Sequence, residues 1–467
     1  MNIFTHLKIK NLLNRKSKYI NYNKKLNDLI PGGAHTYSRG KDQFSSNSPQ
    51  ILQKGKGSYI YDADGNKYLD YGMALRAVTI GYADKRVNKA AIAEINNGNN
   101  LTRPSIIELQ AAEIFTQTIP GADMVKFAKN GSNATTAAVK LARSYTGKKY
   151  ICIPKQHPFF SYDDWFIGTT NVKKGIPGNH YSYSLHFDYN NLDSLKKLFI
   201  EFGDEIAAVI LEPSTTEVPF PFSPNELNFN TSLTEKNKGN FLVDVYDLCK
   251  SYGALFIADE MITGFRWGLK GASSFFGIKP DLMTFGKAMA NGFSLAAVTG
   301  RKDIMSMGSI DNSGTERTFL LSTTHGAEMC SLGAFVKTIE IYQEEDICKY
   351  LWYYGDKLKK GFNNISKELG LIDYIKMIGP SISLNYITRN QNKNICLDFR
   401  TLFLQEMIRN KVLIPWIAIS KAHGEKELNL TLKAVRKSLI IYQRALEEGI
   451  NKYLLGPSIK PVFRKYN

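Results

Sequence analysis

Between about residues 85 and 335 of this 467-residue chain, short apolar runs recur, with helical patterns between them. The runs are "ADMVKFAK" (122–129), "KYICI" (149–153), "IAAVILE" (206–212) and "ALFIADE" (254–260), followed by "DLMTFG" (281–286). Near-continuous apolar runs of this length read as strands buried on both faces. Helical patterns lie at 132–146 and 243–252. The alternation predicts an α/β chain built on a mostly parallel, doubly wound sheet. Such sheets bind ligands outside the carboxyl ends of their strands.

The flanks read differently. Residues 1–28 form a basic, amphipathic N-terminal extension, and its cluster at 8–25 reads as a solvated helical arm. Residues 29–84 contain a hairpin, "GSYIYDADGNKYLDYG", turning at Asp64-Gly65. From 336 to 467, long helices mix with a few strands. The two flanks together predict a smaller α+β domain made from both chain ends, beside a large domain at 85–335. Residues 217–240 are polar and turn-rich, and read as a surface insertion in that large domain.

The formal net charge is +17, but the lysines are spread along the chain. No basic stripe is interleaved with aromatics, which argues against a nucleic-acid partner. There is no run of 18 apolar residues and no secretory apolar core. The five cysteines are scattered without metal or redox spacing, so a reduced cytoplasm is the expected location.

Three features at strand ends could carry chemistry. In "KNGSNATTAAVKLAR" (129–143), Gly131, Ser132 and Asn133 stand between a strand and an alanine-rich helix. Amides at a helix N-terminus can hold a phosphate. The ordinary alternative is an N-cap by Ser132 or Asn133. Asp259 closes an apolar strand, and a buried carboxylate needs a cation, either a protonated ligand nitrogen or an arginine such as Arg266. Lys287 sits among small and apolar residues between Gly286 and Gly292. A buried ammonium is costly unless it is paired, deprotonated or used covalently; the ordinary alternative is a surface lysine. A phosphate cradle, a buried aspartate and an isolated lysine are together what pyridoxal 5'-phosphate requires. The lysine forms its Schiff base, and the aspartate keeps the pyridine nitrogen protonated.

The chain resembles fold-type I pyridoxal-phosphate enzymes of the class III aminotransferase group. Within that group it is similar to glutamate-1-semialdehyde 2,1-aminomutase and its relatives. The likeness runs from about Ile30 to the C-terminal helix. It rests on "IPGGAHTYSRG", "GSNATTAAVKLAR", "VILEP", "ADEMITGFR", "TFGKAMANG" and "STTHGAE". The resemblance implies that Ser132 and Asn133 hold the phosphate, and that Phe159 and Met261 cover the two faces of the pyridine ring. It places Glu212 beside the cofactor. Thr323 would reach the phosphate of a neighbouring subunit, which implies a homodimer with shared active sites. Arg39 would take a substrate carboxylate. Arg76 is a second anion-site candidate, with a surface ion pair as its ordinary alternative.

Two departures from the family pattern bear on substrate. Phe160 stands where a histidine is usual. Pro415 and Trp416 precede "SKAHGEKE" (420–427) where aminomutases carry a glutamate. These changes imply an aminotransferase that passes an amino group from an amino acid donor to a carbonyl metabolite, with Trp416 pointing to a ring or sugar-like acceptor. An aminomutase and a non-catalytic binding protein of the same fold are the alternatives.

Overall fold

The computed structural model describes residues 21–230, 239–311, 313–314 and 316–466. Most of the expected basic N-terminal extension, and residues 231–238 of the expected insertion, lie outside the described residues. Helix α1 (Tyr22–Leu29) leads into an antiparallel meander of β1 (Leu52–Lys56), β2 (Tyr59–Asp62) and β3 (Lys67–Asp70). The β2–β3 turn falls at the predicted Asp64-Gly65, where Gly65 takes φ 82°.

The central sheet contains β4 (Met124–Ala128), β5 (Tyr150–Pro154), β6 (Ser184–Phe187), β7 (Ile206–Leu211), β8 (Leu255–Asp259), β9 (Leu282–Phe285) and β10 (Ala296–Gly300). Their order is β4-β10-β9-β8-β7-β5-β6. All neighbouring pairs are parallel except those of β10, which runs antiparallel to both β4 and β9. Two strands were not anticipated. β6 is a four-residue run, and β10, "AAVTG", is too alanine- and glycine-rich to signal a strand locally.

Side chains alternate between two cores. Cys152, Val209, Leu211, Phe256, Ala258, Met283 and Phe285 enter one. Ile151, Ile153, Ala208, Ile210, Leu255, Ile257 and Leu282 enter the other, which also contains the alanine face of helix α2 (Gly131–Thr146). Burial on both faces is why these strands read as unbroken apolar runs. The Asn130 side chain starts α2 by accepting from the Asn133 amide, and Gly147 at φ 68° ends it.

Helices α3 (Phe241–Ser251), α4 (Met329–Glu344), α5 (Ile347–Glu368), α6 (Leu397–Arg409) and α7 (Glu425–Glu448) follow. A hairpin of β11 (Ile375–Ile378) and β12 (Asn385–Thr388) lies between α5 and α6. Strand β13 (Val412–Leu413) pairs parallel with β3, so residues from both chain ends share one sheet, as the sequence predicted. The segment after residue 217 does not lie wholly on the surface. Val218 and Leu227 are buried in the main core.

Candidate active site

The register of the central sheet assembles the site. Glu212 and Asp259 continue the alternation of Ala208, Ile210, Leu255 and Ile257, so they share the α2 face. Asp259 pairs with Thr284 and Leu211 with Ala258, which sets Glu212, Asp259 and Thr284 side by side at the carboxyl edge. Lys287 begins the turn immediately after β9 and takes φ 38°. That conformation is uncommon outside glycine and is found where the surroundings impose it.

Both carboxylates are buried, Asp259 to 2% exposure and Glu212 to 4%. Asp259 Oδ1 accepts from the Met261 amide (3.0 Å) and the Thr284 hydroxyl (2.8 Å), while Oδ2 accepts no hydrogen bond among the described residues. Burial raises the Asp259 pKa to about 6 and, helped by the charge of Asp259, that of Glu212 to about 8. Burial lowers the pKa of Lys287, and the two carboxylates oppose that shift. Lys287 is half-buried beside two buried carboxylates, and so is not the solvated surface lysine of the ordinary reading. Arg266 is not the partner of Asp259 either. Its Nη1 and Nη2 donate to the carbonyls of Ile419 (3.2 Å) and Arg76 (2.8 Å).

The N-terminus of α2 joins this group through Met261. A Cβ built on Gly131 would lie 2.9 Å from the Met261 sulfur, and one on Gly286 only 2.2 Å from it. The thioether therefore fills the gap between the start of α2 and the residue before Lys287, and glycine at both positions is what admits it. Asn130, rather than Ser132 or Asn133, is the N-cap. Ser132 Oγ accepts from the Tyr162 amide (3.1 Å), and the side-chain amides of Asn130 and Asn133 both donate to the Tyr162 hydroxyl (3.3 and 3.2 Å). The amides of Gly131 and Ser132 have no backbone partner among the described residues.

No hydrogen bond or ion pair among the described residues ties the other expected residues to this cluster. Phe159 is 45% exposed, with its ring near Phe166 and Phe463; Phe160 is the buried member of the pair. Thr323 is exposed. Arg39, Pro415 and Trp416 line a cavity of about 880 Å³ that Lys287, Asp259 and Glu212 do not line. Arg76 is in the electrostatic neighbourhood of both Glu212 and Lys287.

One site residue was missed. His157 follows β5 and is 3% exposed; its Nδ1 accepts from the Glu212 amide (3.1 Å), and its buried Nε2 has no partner among the described residues. Burial lowers its pKa to about 3, so the ring is neutral with its proton on Nε2. The available signal was its place just past a strand end.

A family model for class-III aminotransferases matches residues 41–430. The chain belongs to the class-III aminotransferase family. It is 31% identical to the 3-aminobutyryl-CoA aminotransferase of Cloacimonas acidaminovorans over 423 residues, covering 90% of this chain and 95% of that one. It is also 31% identical to the glutamate-1-semialdehyde 2,1-aminomutase of Caldicellulosiruptor saccharolyticus over 428 residues, covering 88% and 95%. Among solved structures it resembles the FumI protein of Sphingopyxis sp. MTA144 in its PLP form, with 25% identity, a TM-score of 0.79, and 92% and 97% coverage. A glutamate-1-semialdehyde aminomutase from Pseudomonas aeruginosa shares the fold at 17% identity, with a TM-score of 0.74 and coverage of 93% and 97%. The protein is thus a fold-type I enzyme whose cofactor is pyridoxal phosphate. The residues present fit that group: free amides at a helix start, a buried aspartate with an uncommitted oxygen, and a lysine of lowered pKa.

Proposed function

We propose that this enzyme transfers an amino group from an amino acid donor to a bulkier carbonyl metabolite of ring or sugar-like character. The carrying observation is that Lys287, Asp259 and the start of α2 converge at one sheet edge, bridged by Met261. When bound, pyridoxal phosphate supplies an electron sink for the carbanion formed at the substrate carbon. The amides of Gly131 and Ser132, with the Ser132 and Asn133 side chains, hold its phosphate. Asp259 Oδ2 holds the proton on its ring nitrogen. The Lys287 Nζ, bearing a lowered pKa, would hold the cofactor covalently and would move the proton at the substrate carbon. Glu212 would stand beside the ring, and Met261 would close one face of it. Phe159 is assigned to the other face on family likeness.

Arg39 and Trp416 line the cavity of about 880 Å³ and serve the far end of the substrate. Pro415 and Trp416 in place of a glutamate favour exchange between two substrates over migration within one. The relatives include enzymes of both kinds. Thr323, exposed here, is assigned to the phosphate of a partner subunit, and solution scattering should find a homodimer. We place the protein in the cytoplasm on its scattered cysteines; among the described residues no helix is long and apolar enough to cross a membrane.

The test is a donor and acceptor screen on purified holoenzyme, following the cofactor spectrum. An amino acid donor should convert the cofactor and release its keto acid, and a larger carbonyl compound should reverse the change. Conversion of glutamate-1-semialdehyde to 5-aminolevulinate at about 1–10 per second or faster would install the aminomutase reading instead.

A further inference from the structure

Residues Met73, Ala74, Leu75 and Arg76 form one left-handed helical turn, with φ of 39°, 50°, 64° and 69°. No glycine is among them. Each such residue costs about 1–2 kcal/mol, and runs of them are not adopted routinely. A turn like this persists only where its surroundings over-determine it.

The surroundings do so. The buried Asp70 carboxylate accepts from the amides of Gly72 (2.7 Å) and Met73 (3.1 Å). The Tyr82 hydroxyl donates to Asp70 Oδ2 (2.7 Å) and accepts from the Ala74 amide (2.7 Å). Trp416 Nε1 donates to the Gly72 carbonyl (2.9 Å), and Arg266 donates to that of Arg76 (2.8 Å). Successive amides and carbonyls of the turn are thus fixed from outside.

The clamp determines where Arg76 goes. Ala74 and Leu75 wall the 880 Å³ cavity that also holds Arg39 and Trp416. Arg76 does not line that cavity; the turn that carries it packs against the Lys287–Ala290 turn, within electrostatic range of Glu212 and Lys287. Its guanidinium makes no hydrogen bond and no ion pair within 4.0 Å among the described residues. The guanidinium is half-buried, with its donors uncommitted among the described residues, so it can take an anion that enters near the reacting amine.

We propose that Arg76 binds the donor carboxylate carried next to the reacting amine, and that Asp70, Tyr82 and Trp416 are its positioning residues. The proposal rests on the aminotransferase reading. It divides the work between two arginines. Arg76 takes the near carboxylate, and Arg39, across the turn, takes a distal one. The bland alternative makes Arg76 a counter-ion for Glu212.

The test uses holoenzyme and four amines: L-glutamate, 4-aminobutanoate, L-alanine and ethylamine. The second and fourth lack the carboxylate beside the amine. Saturation of the absorbance change gives a half-saturation concentration and a maximal rate for each. Arg76→Ala should raise half-saturation for L-glutamate and L-alanine by about 30-fold or more, the scale of losing a buried charged partner. The change on the other two should be at least tenfold smaller. Tyr82→Phe frees the Ala74 amide and should raise half-saturation for the same two amines while keeping the maximal rate. Melting curves check that both variants fold. Equal losses on all four amines, or a shifted pH profile without a carboxylate preference, would assign Arg76 to Glu212 and overturn the proposal. Wild-type enzyme that converts none of the four would sink the aminotransferase reading, and this inference with it.

Discussion

Gly286→Ala tests the packing that joins the lysine strand to the start of α2. The added Cβ would lie 2.2 Å from the Met261 sulfur, against about 3.5–4.0 Å for an ordinary contact. The sulfur cannot simply retreat, because it is already close enough to Gly131 that a Cβ there would stand at 2.9 Å. Gly286 has extended backbone, φ −179°, so alanine brings no conformational penalty and would by itself stabilise by about 0.4–1 kcal/mol. The overlap should outweigh that gain and leave a net loss of about 1–3 kcal/mol, the usual cost of overpacking. The assay is a double-mutant cycle on the purified protein, with Gly286→Ala, Met261→Ala and the pair compared by denaturant midpoint and by cofactor affinity. In the Met261→Ala background the glycine substitution should cost nothing measurable, giving a coupling of about 1 kcal/mol or more. The reasoning fails if Gly286→Ala alone is neutral, or if its cost is the same with and without the methionine.

Further outcomes follow from the same site. Lys287→Ala should abolish turnover while leaving the melting curve near wild type; borohydride should fix the cofactor to a wild-type peptide containing Lys287, and an adduct on another lysine would refute the assignment. Asp259→Asn should keep part of the cofactor affinity and lose about 10²-fold or more in rate, the scale of removing one electrostatic stabiliser. In cofactor-free protein, Glu212 has a pKa raised to about 8, so the folded state holds a proton that the unfolded state releases. Its contribution to stability must therefore fall as pH rises from about 4.5 toward 8, by up to about 1.4 kcal/mol per unit. Glu212→Gln should flatten that decline, and parallel pH curves for variant and wild type would contradict the buried-carboxylate argument.

Much of the scaffold was legible because burial on both faces writes itself into composition. The runs ending at Ala128, Leu211, Asp259 and Phe285 could be read as strands without any knowledge of their neighbours. The chemistry at their carboxyl ends, Glu212, Asp259 and Lys287, could be read with them. The helix from Gly131 to Thr146 was legible in its alanine-rich pattern, although its N-cap is Asn130 and not the expected Ser132 or Asn133. β10 gave no such signal, because an alanine-rich strand is specified by the partners it lies between.

The rest was decided by contacts between residues far apart in the chain. The place of Met261 depends on Gly131 and Gly286, which approach only when α2 and β9 pack together. Arg266 could have neutralised Asp259 by spacing alone, yet the fold spends it on the carbonyls of Arg76 and Ile419. The left-handed turn from Met73 to Arg76 has no local signature at all, since no residue in it prefers positive φ. Asp70, Tyr82, Trp416 and Arg266 impose it with hydrogen bonds from 344 positions away along the chain to only two or three. Local preferences chose the strands, the helix caps and the reactive side chains. Hydrogen bonds that exist only after folding took Arg266 away from Asp259 and fixed the turn that carries Arg76.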